Sequence, residues 1–280
     1  MQVWYACYGS NLLRERFLCY LQGGRPAGAT RTYPGARDRR EPARDVPMTL
    51  PGDVFFGWSS PTWGGGIAFY HADADGAALA RAYLVTDQQF SDVAAQEMRR
   101  EPGTDLDLTT VLDTRRHDTG PGRYESLHLV GELEGVPVLT FTTPHPAALQ
   151  RNSPSEAYLT TIALGLRESH GLSDAAICDY LLARPGVRPA WRRERLLAAL
   201  SGRGGQRASA AWSPSTSVTG ASQTKPRHTY AVASSRTNGR PASSGMPGVS
   251  GPPWASTSPG DWHWRAATTR ASACAACPGA

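Results

Sequence analysis

The 280 residues hold 29 Lys+Arg against 24 Asp+Glu, a formal charge of +5, but beyond position 200 there are 8 basic residues and 1 acidic one, leaving 21 against 23 before it. The part with aliphatic periodicity is therefore near neutral and has no basic stripe interleaved with aromatics, which argues against nucleic-acid binding. No stretch approaches the ~18 apolar residues of a membrane span, no basic segment leads into an apolar one at the N-terminus, and the cysteines at 7, 19, 178, 274 and 277 are odd in number and scattered, so the expectation is a soluble, cytoplasmic chain with no disulfide framework and no membrane contact.

In chain order, Val3 to Tyr8 reads as a buried strand that stops at Gly9-Ser10-Asn11. Gly9 can take a backbone conformation closed to other residues, Ser10 and Asn11 are favoured helix caps, and Leu12, Leu13, Phe17, Leu18 and Leu21 recur at helical spacing. At such a strand-to-helix turn, unpaired N–H groups and the helix dipole converge on one point, which suits an oxyanion or carboxylate; a well-capped turn without chemistry is the competing reading. The string Tyr8-Gly9-Ser10-Asn11-Leu12, at the end of a first aromatic strand, resembles the signature of the γ-glutamylcyclotransferase-like family. The resemblance implies that these five residues hold a small-molecule γ-glutamyl substrate. It also implies a mixed α+β domain built on a partly closed β-barrel of about six strands with helices packed outside.

Residues 25 to 53 read as a long loop rich in Arg, Pro, Gly and Asp, whose Arg31, Arg37, Arg39, Arg40 and Arg44 either meet an anionic substrate or are simply solvated. Val54 to Trp58 and Ile67 to His71 read as strands, and Gly64 to Gly66 between them allow another backbone or a ligand to come close. Trp63-Gly64-Gly65-Gly66 is similar to a W-x-G-G segment of the same family. Ala80 to Val85 is a further strand.

Thr86 to Arg100 opens with a Thr cap and a Gln three positions later, a capping box, and reads as a helix. Phe90, Val93 and Ala94 share its apolar face, and Glu97, at i+7 from Phe90 and i+4 from Val93, falls on the same side. Pairing with Arg100 or Arg81, or a place at the helix border in water, would explain Glu97 without chemistry. The family's essential glutamate lies near the end of such a helix, in a segment like L-D-x-x-E. Asp92 and Gln96-Glu97 are the match here, so the resemblance implies that Glu97 is the catalytic acid/base. Met98 stands where a glycine often follows that glutamate, and Glu101 is the rival.

Residues 102 to 122 read as a polar insert around the apolar segment Leu108 to Leu112. Tyr124 to Val130 and Val136 to Thr142 alternate on either side of Gly131 to Gly135, a β-hairpin. Tyr124 resembles the family tyrosine that opens this strand and hydrogen-bonds substrate; plugging the core is its other reading. Asn152-Ser153-Pro154-Ser155 leads into a helix over 156–169, with Ser as cap, Pro at the first turn and Gly171 after its end. Helices from Ser173 and over Trp191 to Leu200 follow. The resemblance spans about residues 3 to 175, within a domain set at 1–200.

From Ser201 the composition turns to Ser, Gly, Pro, Arg and Ala with isolated tryptophans, so 201–280 is expected to be a disordered tail. Cys274 and Cys277 form a lone C-x-x-C, a weak zinc signal. Deleting 201–280 is expected to leave the melting transition nearly unchanged, and a large drop on calorimetry would refute the boundary.

Cyclising a γ-glutamyl amide to 5-oxoproline needs no enzymic nucleophile, metal or cofactor, because the substrate supplies its own amine. One carboxyl group can move the protons, and backbone N–H groups can stabilise the developing charge. Hydrolysis or deacylation through Ser10 or Cys7 is the second reading, a metal-dependent deacylase a weaker one, and a non-catalytic binding module the third. Ser10 lacks the G-x-S-x-G elbow and Cys7 lies inside a strand. The oligomeric state and the leaving amine are left open.

Overall fold

The computed structural model describes residues 1–26 and 31–202; the expected tail, with Cys274 and Cys277, lies outside them apart from Ser201 and Gly202. The described residues form a mixed α+β fold. Eight strands, β1 (Gln2–Cys7), β2 (Arg44–Pro51), β3 (Asp53–Ser60), β4 (Gly65–His71), β5 (Ala77–Thr86), β6 (Arg116–Asp118), β7 (Ser126–Leu133) and β8 (Val136–Thr142), are interleaved with six helices. The helices are α1 (Arg14–Gln22), α2 (Asp87–Glu97), α3 (Thr109–Thr114), α4 (Glu156–His170), α5 (Asp174–Leu182) and α6 (Arg193–Ser201), and a short 3₁₀ turn, Ser10–Leu12, follows β1.

Six strands make one mixed sheet in the order β2-β5-β1-β8-β7-β6, while β3 and β4 pair only with each other. The expected partly closed barrel is not found among the described residues. Closure would require the outer strands to pair. Instead β2 carries Pro47, which has no ladder N–H to give, and β6 is three residues long. The first strand sits mid-sheet, antiparallel to β5 from Gln2↔Thr86 to Cys7↔Arg81 and parallel to β8 at Trp4↔Val138 and Tyr5↔Leu139. With neighbours on both edges and packing on both faces, every residue from Val3 to Tyr8 is buried, which explains its unbroken apolar run. Whatever follows β1 is thereby delivered to the middle of the molecule.

Four local expectations change. The loop over 25–53 contains β2, whose alternating Val46, Met48 and Leu50 are disguised by prolines that an edge strand tolerates. Gly9 does not use a left-handed backbone: its φ is −118°, and its missing side chain matters because a Cβ would lie 3.1 Å from the Tyr158 hydroxyl. Ser10 and Asn11 do not cap α1, which starts after Leu13 with no side-chain cap bond. Ser155 rather than Ser153 caps α4, accepting from the Tyr158 N–H at 3.3 Å, so Pro154 precedes the cap; Gly171 ends the helix left-handed (φ +64°) as expected.

The capping box of α2 forms both ways, Gln89 N–H to Thr86 Oγ1 and Thr86 N–H to Gln89 Oε1, each at 3.1 Å. This fixes the start of the helix that ends at Glu97. On the far side, Gly165 lets α4 lie directly on the turn, where a Cβ would overlap the Leu12 backbone. The Gly64–Gly66 run serves a second backbone: a Cβ on Gly65 would lie 2.7 Å from the Ser153 carbonyl oxygen.

His128 of β7 packs edge-on against Tyr70 (ring centroids 6.3 Å apart) and lies 2.9 Å from Ser126 Oγ. Burial, and then the Arg116 cation, lower its pKa from 6.5 to about 4. Below the unfolded value the unfolded chain takes up a proton that the folded chain refuses, so this contribution to stability is lost as pH falls from about 6.5 to about 4. His128→Gln cannot take up that proton. The stability gap between wild type and His128→Gln is therefore expected to narrow by roughly 1–3 kcal/mol on acidification, read from thermal unfolding at pH 7 and pH 4. A constant gap would contradict it.

Candidate active site

A cavity of about 80 Å³ opens where the turn after β1, the end of α2, the start of β4 and α4 meet. Tyr8, Gly9, Ser10, Asn11, Glu97 and Tyr124 all line it. Leu12 does not: its side chain is fully buried and its N–H is used inside the turn, on the Gly9 carbonyl at 3.0 Å. Asn11 Nδ2 donates to Glu97 Oε1 at 3.0 Å, joining groups 86 residues apart. The Asn11 backbone carbonyl accepts from the Tyr83 hydroxyl at 3.0 Å, which holds the turn in place, while Asn11 Oδ1 is buried with no partner among the described residues.

The two arginines that the sequence offers as partners for Glu97 are engaged elsewhere, Arg100 with Glu125 and Arg81 with Asp45 and Glu168, while Arg16 and Arg123 share the cavity with it. Glu101 is exposed and not among the residues lining the cavity. Asp92 is fully buried and structural, accepting from the Arg37 N–H at 2.8 Å and the Gly103 N–H at 3.2 Å.

Of the six tyrosines that line the cavity, Tyr8, Tyr124 and Tyr158 lie at the turn and at β4. Tyr8 donates to the Phe141 carbonyl at 2.8 Å and Tyr124 to the Ala68 carbonyl at 2.9 Å, so both phenolic protons are committed to backbone. The Tyr158 hydroxyl instead accepts from the Ala68 N–H at 3.1 Å, leaving its own proton without an acceptor among the described residues. Burial raises the pKa of all three, so they stay neutral and none can act as a base near neutral pH. Cys7 also lines the cavity, but burial pushes its thiol well up, so little thiolate forms. No histidine lines the cavity to activate Ser10.

Arg16 of α1 was absent from the sequence expectations. It is buried, its guanidinium lies over the rings of Tyr20, Tyr33 and Trp63 (5.2, 4.7 and 5.8 Å to the centroids), and Nη2 donates to Tyr33 Oη at 2.5 Å. Its Nε and Nη1 have no partner among the described residues, and the side chain lines the cavity. A buried cation with two unmet donors is costly unless something anionic joins it. The available signal was helical spacing: Arg16 lies four before Tyr20, on the same buried side. Of the loop arginines, Arg37, Arg40 and Arg44 pair with carboxylates and Arg39 donates to carbonyls; Arg31 alone of the five lines the cavity.

Among the described residues no three or more His, Cys, Asp or Glu side chains come together as a metal site, and no helix is long and apolar enough to cross a membrane. Cys7, Cys19 and Cys178 are free thiols.

No protein-family model matches the chain. It is 33% identical over 207 residues to histone deacetylase 5 of Arabidopsis thaliana, covering 66% of this chain and 31% of that protein, so it spans about a third of the relative's length. Among solved structures it is similar to an uncharacterized protein from Homo sapiens (18% identity, TM-score 0.41, covering 71% of this chain and 98% of the other). It is also similar to a gamma-glutamyl cyclotransferase (16% identity, TM-score 0.40, covering 70% and 98%).

Proposed function

We propose that residues 1–200 form a γ-glutamylcyclotransferase-type enzyme that cyclises a γ-glutamyl amide to 5-oxoproline and releases the amine, with Glu97 as general acid/base. The observation that carries this reading is the meeting of Glu97 with Asn11 of the Tyr8–Leu12 turn, at 3.0 Å, inside one cavity. The α-nitrogen of the substrate attacks its own γ-carbonyl carbon, forming the lactam C–N bond as the bond to the leaving nitrogen breaks. Two protons leave the α-ammonium and two reach the leaving amine, which departs as an ammonium ion. Glu97 ferries them, Asn11 orients its carboxylate, and the Tyr158 proton is available to the oxygen that gains charge. Arg16 holds the α-carboxylate of the γ-glutamyl group with its unmet Nε and Nη1.

Incubating the protein with γ-glutamyl amino acids, γ-glutamylamines and glutathione, and assaying 5-oxoproline by mass spectrometry, tests this directly. Formation from at least one is expected; glutamate as the sole product would favour a hydrolase.

A further inference from the structure

The γ-glutamyl end of any substrate carries one carboxylate and one ammonium, and is therefore neutral overall. The cavity is not. Besides Arg16 and Glu97 it is lined by Arg31, Arg99 and Arg123, none of which has an ion-pair partner among the described residues, although Arg14, Arg37, Arg81 and Arg167 all find carboxylates. Arg31 and Arg99, with Thr62 and Pro61, also line a wider depression adjoining the cavity, which places them at its mouth.

Two local features place these arginines. Arg99, two residues past Glu97, takes the left-handed position (φ +61°) that stops α2, its N–H donating to the Gln96 carbonyl at 3.2 Å and that of Arg100 to the Ala95 carbonyl at 2.7 Å. Trp58, another non-glycine with positive φ (+54°), lies under Arg123, whose guanidinium carbon is 3.8 Å from the ring centroid. Burial, and then the repulsion of Arg99, lower the pKa of Arg123; Tyr124 and Glu97 oppose the shift and Arg31 adds to it more weakly. Three cations thus share one mouth, none of them ion-paired among the described residues, with Glu97 as the single carboxylate lining the cavity beside them.

We propose that the cavity mouth formed by Arg31, Arg99 and Arg123 is a subsite for a group carrying at least two negative charges, a phosphate monoester or a pair of carboxylates, and that this group belongs to the amine the enzyme expels. The second half rests on the cyclotransferase reading; the first does not. Such an anion relieves the mutual repulsion of the arginines and accepts their forked N–H groups.

The test compares kcat/KM for four substrates sharing the γ-glutamyl end: the ethylamide, the alanine and glutamate conjugates, and the O-phosphoethanolamine conjugate. Each added negative charge is expected to raise kcat/KM about tenfold or more, with a dependence that weakens as salt is added. Arg99→Met and Arg123→Met should flatten the series, lowering the dianionic members most. Calorimetric titration of O-phosphoethanolamine against ethylamine reads the subsite without turnover: binding of the first alone, lost in Arg123→Met, supports the subsite even if no 5-oxoproline forms from any conjugate. Equal kcat/KM across the series, with no selective binding of O-phosphoethanolamine, overturns the subsite and leaves the cyclotransferase reading standing.

Discussion

Glu97→Gln is expected to lower 5-oxoproline formation toward 10⁴-fold, the upper end of the roughly 10²–10⁴ that general acid–base catalysis contributes, because one carboxylate serves both the uptake and the return of protons. Gln matches Glu in shape and keeps hydrogen-bonding capacity but cannot carry a proton at neutral pH. Glu97 ends α2 at the cavity wall and accepts from Asn11 Nδ2, to which a Gln oxygen can still bond. Fold and ligand binding should therefore survive, and a γ-glutamyl analogue titrated by calorimetry should bind within a few-fold of wild type. Glu101→Gln is the control: its exposed side chain predicts near-normal turnover. A dead Glu101→Gln beside an active Glu97→Gln would move the acid/base four residues on, past the end of α2, and two active variants would remove the single-carboxylate mechanism.

Arg16→Met should raise KM about 30-fold or more while changing kcat much less, since a carboxylate held equally in ground and transition states contributes to binding rather than to the chemical step. Met keeps most of the stem volume and removes a cation whose Nε and Nη1 are unmet. The unliganded variant should melt within a few degrees of wild type, because losing a desolvated charge offsets losing its contacts with the Tyr20, Tyr33 and Trp63 rings. A collapse in melting temperature with unchanged KM would make Arg16 a structural cation. Steady-state kinetics and calorimetry on the same preparation separate the two.

The legible parts of the molecule were those where one short stretch carries the whole signal. The first strand, expected over Val3–Tyr8 and observed at Gln2–Cys7, the capping box at Thr86 and the glycine stop at Gly171 each depend on neighbours within a few residues, and each is readable in order along the chain. Glu97 fell on the packed face of α2 by spacing alone, and the structure sets it against Asn11. What was hidden depends on distant partners. The β2 strand is defined by pairing from Arg44↔Leu84 to Pro51↔Ala77, which no local pattern in a proline-rich segment announces. Barrel closure is a property of strand edges, and Pro47 and the brevity of β6 decide it only once the strand order is known. Arg16 looks like any helical arginine until Tyr20, Tyr33 and Trp63 are folded around it, and Leu12 looks like part of the loop until its N–H turns back to Gly9.

Cyclisation and hydrolysis of the same γ-glutamyl amide differ in one atom: cyclisation forms the new bond to carbon from the substrate's own nitrogen, hydrolysis from water. Turnover in water enriched in oxygen-18, followed by the mass of the γ-glutamyl product, is therefore the most direct measurement. The result expected is 5-oxoproline at its natural mass, formed in step with the released amine. Glutamate carrying one oxygen-18 as the first product would contradict the cyclotransferase reading and make this cavity that of an amide hydrolase.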